Sequence, residues 1–448
     1  MEQSYQQRTK RNDLIEMFVY VFFLLNVAII GYFWWHGSGT EFLHSSDGWV
    51  RGLGRLAGLL AAFSIIIDFV LIARLPFMEQ AFGRAKQTIW HKYAGYTAYL
   101  LLIAHFSLLT VGYGVVDKLG LWPQFWSFAT TYQDVLNSII AFLLLTVIVG
   151  LSIYFVRKKV KYETWYYVHL LTYLAIILGF SHQMKVGVDF ITQPLFREYW
   201  WGIYIALFVV VVTFRFVVPI VQSLWYGLRV DKVVVENHDT HSIYIKGRNV
   251  QKLRYQNGQF AIWWFLDFKR FWQGHPFSLT SESGNDHLRL TFKNSGDFTS
   301  ELSQVKSGTP VIMDGPYGRF TASATNNKKV LLIAGGIGVT PFPPMIKIMA
   351  QEDRDIILLY SVRTEADIAL RQEIEASSAK VTYIVTQDQK YKGETGILDQ
   401  AKLAKLVPDI KDRAAYICGP PPMMAAISAS LKALGVPKDQ IYTENFSF

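Results

Sequence analysis

HKYAGYTAYLLLIAH, residues 91–105, is an apolar run that begins and ends on histidine. A second run, HLLTYLAIILGFSH at 169–182, repeats the arrangement. His91 and His105 are 14 positions apart, His169 and His182 are 13 apart. At a rise of 1.5 Å per residue, each pair would span about 20 Å along a helix, most of a bilayer's hydrocarbon core. Ionisable side chains at such depth are costly and usually functional. Two depths on each of two helices make two sites, and imidazole suits iron, so the pattern reads as two stacked b-type haems crossing a membrane. The rotation is less regular. A step of 14 turns a helix by about −40° and keeps both rings on one face, but a step of 13 turns it by about −140°. Tilt, curvature or a π-bulge would have to supply the difference. A lone intramembrane histidine also serves as an ordinary hydrogen-bonding core residue; the matched depth of all four is what points to ligation.

Outward from these runs, the composition is that of a partly membrane-embedded chain. Of 448 residues, 51% are hydrophobic and 15% aromatic, and the mean hydropathy is +0.20. The length allows two or three domains. A single cysteine, Cys418, excludes a disulfide framework, a c-type haem attachment and a four-cysteine iron–sulfur cluster. Redox chemistry would then use noncovalent organic cofactors or histidine-held metal. The net charge of +9 does not point to nucleic acid, because the basic residues gather beside apolar segments.

Six spans are expected at roughly 14–35, 52–73, 90–112, 135–156, 163–183 and 199–221. The first follows RTKR, is too long for a secretory h-region and shows no small-residue cleavage site, so it is expected to be retained. Arg8, Lys10 and Arg11 flank span one; Arg74, Arg84 and Lys86 lie between spans two and three; Arg157, Lys158, Lys159 and Lys161 lie between four and five. The opposite loops, 36–51, 113–134 and 184–198, are poorer in Lys and Arg, so both termini are expected in the cytoplasm. His91 and His169 then share the inner leaflet, and His105 and His182 the outer one. Gly95 would let a porphyrin approach the backbone, or else serve helix packing.

Beyond residue 225 the pattern becomes that of soluble α/β sequence. Short β-rich runs from 226 to about 322 suggest a small antiparallel barrel. From 328, KKVLLIAGG, DIILLYSVR, KVTYIVTQ and RAAYICG read as buried parallel strands separated by helices. In VLLIAGGIGVTPF, Gly335, Gly336 and Gly338 lie between a strand and a helix starting near Pro341, where backbone N–H groups can meet a pyrophosphate. The full GxGxxG spacing is absent, and an ordinary glycine turn is the alternative. The expected fold is therefore a six-helix transmembrane all-α bundle (1–225), an antiparallel β-barrel (226–325) and an α/β Rossmann-like domain (326–448).

HPFSLT at 275–280 follows the strand QFAIWWFLD, DGPYG at 314–318 closes the barrel, and YICGPPPMM at 416–424 ends a late strand. With these motifs the soluble half resembles the ferredoxin–NADP reductase type of flavoprotein module. Joined to six spans with paired histidines, nearly the whole chain resembles the NADPH oxidase and ferric reductase superfamily. GGIGVTPF and a terminal Phe lean toward a bacterial NADPH-oxidase-like member, and the separations of 14 and 13 match the family's pattern.

The resemblance implies roles for particular residues. In HPFSLT (His275, Pro276, Phe277, Ser278, Leu279, Thr280), Phe277 takes the place of the aromatic packed on the isoalloxazine and Ser278 that of the hydroxyl near flavin N5. His275 replaces the arginine common in soluble reductases and would contact the FAD diphosphate. KNSGDFTSEL resembles the second flavin phosphate motif, with Gly296, Asp297 and Thr299 at the binding positions and Phe298 where the family often has Trp. The nicotinamide side would use Gly335, Gly336, Gly338, Thr340 and Pro341, together with Gly419, Pro420 and Cys418, the last near nicotinamide C4 with no nucleophilic role. Phe448 matches the terminal aromatic that stacks on the flavin. Ser361 and Arg363 follow the second Rossmann strand, where Arg accommodates a 2′-phosphate; this favours NADPH, with NADH compatible. Arg55 matches arginines near the outer haem and the oxygen site, with Arg51 a rival, and both could equally be snorkelling to the interface. Leu109 stands where the oxidases often carry a further histidine.

The implied activity is that of a flavocytochrome b in the cytoplasmic (plasma) membrane. Electrons would pass from cytosolic NADPH through FAD and two haem b groups to an extracytoplasmic acceptor. Oxygen, giving superoxide, ranks first and a ferric or cupric chelate second. The alternative from another class is an electron-relay module serving a separate redox protein. The expected partners are NAD(P)H, O2 or a ferric chelate, and the lipid bilayer; no nucleic acid is expected and a protein partner is not required. A transporter is disfavoured because no pair of spans shows broken-helix substrate sites. Lacking a calcium-binding loop, the chain is expected to be constitutively active.

Overall fold

The computed structural model describes residues 2–40, 45–132, 134–153, 159–160, 162–388 and 390–444. Phe448, Arg157, Lys158 and Lys161 lie outside the described residues. The chain divides into two compact units. One comprises Leu14–Leu75 and Lys86–Thr213; the other comprises Met1–Asp13, Pro76–Ala85 and Phe214–Phe448.

Among the described residues, six helices are long and apolar enough to cross a membrane: Lys10–His36, Asp47–Ile72, Lys86–Val116, Val135–Ser152, Thr164–Val186 and Pro194–Tyr226. They belong to α1 (Glu2–His36), α2 (Ser46–Ile72), α4 (Arg84–Val116), α6 (Val135–Ser152), the pair α7 (Tyr162–Leu170) and α8 (Thr172–Val186), and the pair α10 (Pro194–Val212) and α11 (Val218–Tyr226). Between them lie α3 (Pro76–Phe82), α5 (Leu121–Thr131) and α9 (Val188–Thr192). Ser45 caps α2 by accepting from the Gly48 N–H at 3.1 Å, which satisfies one of the donors left open at a helix start. The core of the first unit is aromatic: Phe33 and Phe190 stack on opposite sides of Phe196 at 4.8 and 4.9 Å. Trp200, fully buried beside them, donates to Gln183 Oε1 at 2.9 Å.

Three local features depart from a plain reading of six helices and loops. Residues 113–134, expected as a loop, contain α5, because its aromatic side chains find partners on α4: Phe125 packs on Phe106 at 5.7 Å and Phe128 on Tyr113 at 5.6 Å. Trp122 and Trp126 face outward, as amphipathic aromatics do at a membrane interface. Span five is interrupted at Leu171, between its two histidines. There the Leu171 N–H turns to the Val168 carbonyl, three residues back, and the Thr172 hydroxyl donates to the His169 carbonyl, a side-chain bond that competes with the helical ladder. Span six widens into a π-helical turn at Thr213–Val217. Pro219 follows and has no N–H to offer the Arg215 carbonyl.

In the second unit, β1 (Arg229–Val235), β2 (Thr240–Lys246) and β5 (Leu288–Lys293) form one antiparallel sheet, while β4 (His275–Ser278), β3 (Phe260–Phe265) and β6 (Val311–Tyr317) form another. The expected barrel does not close as a continuous ladder. The two sheets touch through single bridges, Arg229 with Pro310 and Leu279 with Leu290. Pro310 lacks the N–H that would extend pairing, and β4 has only four residues. Both sheets bury Val230, Ile243, Ile245, Trp263, Phe265 and Leu290 in one core.

The last third is a six-stranded parallel sheet in the order β10-β9-β8-β7-β11-β12. Its strands are β7 (Lys329–Gly335), β8 (Asp355–Val362), β9 (Lys380–Val385), β10 (Glu394–Thr395), β11 (Ala414–Cys418) and β12 (Ile441–Glu444). Every residue of β7 after Lys329 is buried, as expected for a strand covered on both faces. The chain order runs outward in opposite directions from β7 and β11. Ligands bind open parallel sheets at such a switch, beyond the carboxyl ends of the strands.

Candidate redox sites

Each of the four histidines singled out in the spans has its Nδ1 beside a polar partner. That of His105 lies 2.8 Å from the Gly54 carbonyl and that of His182 2.6 Å from the Gly179 carbonyl. His91 Nδ1 lies 2.7 Å from Asp68 Oδ1, and His169 Nδ1 3.5 Å from the Ser152 hydroxyl. Metal-ligating histidines typically have one ring nitrogen engaged in this way, which fixes the tautomer and aims the other at the metal. The rings come together in two pairs: His91 and His169 with centroids 5.9 Å apart, His105 and His182 with centroids 6.4 Å apart. An ion bridging two imidazole nitrogens at about 2 Å each holds ring centroids about 6–6.5 Å apart. Donor type, tethered Nδ1 atoms and ring spacing therefore fit an iron in each pair.

The helices are shaped for these rings. A Cβ added to Gly58 of α2 would stand 2.5 Å from His105 Nδ1, so only glycine admits the ring there. A Cβ at Gly95 would lie 3.5 Å from Asp68 Oδ2; Gly95 faces the acid of α2. Trp165 stacks on His169 at 5.1 Å and donates to Ser152 Oγ at 3.1 Å, steadying the oxygen beside the ring. The Leu171 interruption falls between His169 and His182, the pair whose step of 13 a straight helix would not align. Arg55 donates to the Tyr113 hydroxyl at 2.8 Å, while Arg51 pairs with Asp47 at 3.3 Å and lies 5.7 Å over the Tyr113 ring. Both arginines thus converge on Tyr113. Leu109 packs toward Gly54.

In the second unit, β4 runs alongside β3 with Ser278 opposite Phe260 and His275 opposite Trp263. Ser278 and Thr280 are buried, Leu279 is in the core, and Phe277 packs on Phe292 at 5.8 Å. His275 stacks on Phe298 at 3.7 Å. Pro276 opposes Ile262. Thr299 Oγ1 accepts from the N–H groups of Ser295 and Gly296 at 2.9 and 3.1 Å, which starts α12 (Asp297–Leu302).

The glycines after β7 divide into two kinds. A Cβ at Gly335 would lie 2.6 Å from Met423 Sδ, and one at Gly338 only 2.3 Å from the Cys418 carbonyl oxygen. Gly419 in turn lies against Gly335. These three bring the ends of β7 and β11 together at the sheet's switch. Gly336 has φ +54° and open space where a side chain would be; it is the glycine positioned for a ligand's close approach. Thr340 is buried, and Pro341 precedes α13 (Phe342–Gln351). Ser361 pairs with Gly335 across the sheet, and Arg363 is exposed just beyond β8.

Cys418 is fully buried, and burial, reinforced by the Glu444 carboxylate, pushes its thiol well above the usual range. Glu444 is its partner across β11 and β12. Burial and the nearby Glu79 push the Glu444 carboxyl up to about 8. Neither Glu444 nor the α3 segment that carries Glu79 carries a motif in the sequence. Arg319, which donates to the Ala81 carbonyl at 2.8 Å, ties α3 to the reductase unit. His238, Asp239 and Asp367 cluster within 4.8 Å, but Lys293 Nζ lies 2.7 Å from Asp239 and 3.1 Å from Asp367. An ammonium already holds that pair of acids.

Fold and sites define a membrane oxidoreductase with an FAD- and NAD-binding module. Residues 57–180 match the ferric reductase like transmembrane component family, 226–321 an FAD-binding domain and 332–429 an oxidoreductase NAD-binding domain. In that order these three domains fit a ferric reductase and NADPH oxidase-like flavocytochrome with a ferredoxin–NADP reductase-type module. NADH-cytochrome b5 reductase 2 of Saccharomyces cerevisiae is 29% identical over 235 residues, 48% of this chain and 76% of its own length. The flavohemoprotein of Oceanobacillus iheyensis is 26% identical over 244 residues, 50% of this chain and 60% of its own length. Among solved structures, the ferredoxin reductase in carbazole 1,9a-dioxygenase is similar at 25% identity with a TM-score of 0.45, covering 50% of this chain and 69% of its own.

Proposed function

We propose that the protein moves electrons from NADPH across a membrane to an acceptor on the far side, using FAD and two b haems. The observation that carries this reading is the pair of histidine pairs, each ring tethered through Nδ1 and each pair spaced for one iron. In this reading His91 and His169 hold the inner haem and His105 and His182 the outer one. FAD, which Phe277, Ser278 and Thr280 would hold, would supply the conversion of a two-electron hydride donor into single electrons for haem iron. Gly336 admits the dinucleotide phosphates, Arg363 takes the 2′-phosphate, and Phe277, Ser278 and Thr280 line the flavin site. With two histidines held for each iron, the acceptor would be reduced by outer-sphere transfer rather than by binding the metal. For oxygen the balance is one NADPH and two O2 giving NADP+, one proton and two superoxide ions. Arg55, next in sequence to the Gly54 whose carbonyl meets His105, is bonded to Tyr113 and would orient the acceptor there. NADPH is oxidised on the cytoplasmic side.

Leu109, packed where the oxidases often carry a further histidine, favours a second reading in which a ferric or cupric chelate is the acceptor. The first test is a reduced-minus-oxidised spectrum with haem quantification on the purified protein. Two low-spin b haems per chain are expected, with one lost in His91→Leu and one in His182→Leu; one haem or none in the unaltered protein overturns the proposal. NADPH-driven cytochrome c reduction that superoxide dismutase suppresses would identify oxygen. Faster anaerobic reduction of ferric chelate would identify the chelate. Turnover only with an added redox protein would identify a relay.

A further inference from the structure

The two histidine pairs differ in what holds them. At the outer pair both Nδ1 atoms face peptide carbonyls, Gly54 at 2.8 Å and Gly179 at 2.6 Å. At the inner pair His169 faces a hydroxyl, but His91 faces a carboxylate, Asp68 Oδ1, at 2.7 Å. Asp68 stands between Ile67 and Phe69 in an apolar span, where an acid is costly unless a specific partner compensates. Its second oxygen is turned toward Gly95, one helical turn beyond His91 on α4. The HxxxG face of α4 therefore receives this side chain, with histidine as its ion-pair partner and glycine as clearance. An acid that only snorkelled to the interface would not need that fit.

We propose that Asp68 is the positioning residue of the inner haem: its carboxylate, paired with the His91 ring at 2.7 Å, fixes Nε2 toward the iron and sets the inner haem's potential below the outer's. A carboxylate acceptor makes an imidazole a stronger donor than a peptide carbonyl does, and a stronger axial donor favours the ferric state. The order of potentials then runs downhill from the inner site to the outer one. This inference rests on the two-haem reading above.

The experiment is a spectroelectrochemical measurement of both haem potentials in the full-length protein, with electron paramagnetic resonance of the oxidised state. His91→Leu leaves only the outer component and so assigns the two waves; two haems persisting in that variant would sink the two-haem reading itself. Asp68→Asn is expected to keep two haems, to shift the inner wave upward toward the outer one, and to change the g-values of one low-spin signal only. Two haems with both potentials unmoved in Asp68→Asn would overturn the role of Asp68. If Asp68→Asn instead loses the inner haem, Asp68→Glu decides: retention near the original potential supports the proposal. Loss in both variants overturns it.

Discussion

A Cβ at Gly58 would stand 2.5 Å from His105 Nδ1, whereas one at Gly95 meets its nearest neighbour at 3.5 Å. The two glycines look alike in the sequence, each within an apolar span. Their substitution should separate them. Gly58→Ala is expected to displace the His105 ring and cost the outer haem, leaving about one haem per chain. Gly95→Ala should retain both, since 3.5 Å is ordinary contact. Haem quantification on the two variants side by side checks this, and equal loss in both would show that the clearance at Gly58 is not what admits His105. Asp68 belongs at this scale too. Nothing in its apolar surroundings signals a partner, because the histidine it meets is 23 positions away on another helix.

Among elements, the turn after β7 shows why a motif and its mechanics differ. All three glycines of GGIG read equally as a phosphate cradle, yet Gly335 and Gly338 are taken up by contact with Met423 and the Cys418 carbonyl. Gly338→Ala is expected to force β7 and β11 apart, lowering stability by about 2–4 kcal/mol in denaturant unfolding followed by flavin fluorescence. Gly336→Ala meets nothing and should cost only about 1–2 kcal/mol for its left-handed backbone. It should still raise the NADPH concentration needed for half-maximal flavin reduction several-fold. The interrupted fifth span teaches the same lesson. Its histidine spacing was legible, but the break at Leu171 depends on a Thr172 hydroxyl finding the His169 carbonyl, a choice that hydrophobic pattern does not record.

On the scale of the whole molecule, the chain divides into two compact units, and a pH response should belong to one of them. Glu444 has a folded carboxyl value of about 8 against an ordinary 4.5. The folded reductase unit holds that proton when the unfolded chain has already released it, so stability falls as pH rises from about 4.5 to about 8 and then levels. Across that window, the melting temperature read by flavin release should decline in the native protein relative to Glu444→Gln. The transition read by haem absorbance should show no matching difference. A parallel pH dependence in both variants would remove Glu444 as its source.

By itself the sequence determined the class of molecule. Twenty-residue apolar runs demand helices in lipid, histidines at two depths suit iron, and strand-turn-helix glycines with HPFSLT and CGPPP mark a flavin and nicotinamide module. These signals are local, each carried within one element or one turn, so periodicity and motif suffice to read them. Tertiary structure alone decided which atoms meet: Asp68 with His91, Gly58 with His105, Glu444 with Cys418, and the ends of β7 with β11. It also turned the expected barrel into two sheets joined by single bridges, and a loop into α5. Such pairings depend on contacts between segments distant in the chain, where the geometry of packing, rather than the chemistry of any one stretch, sets the distance.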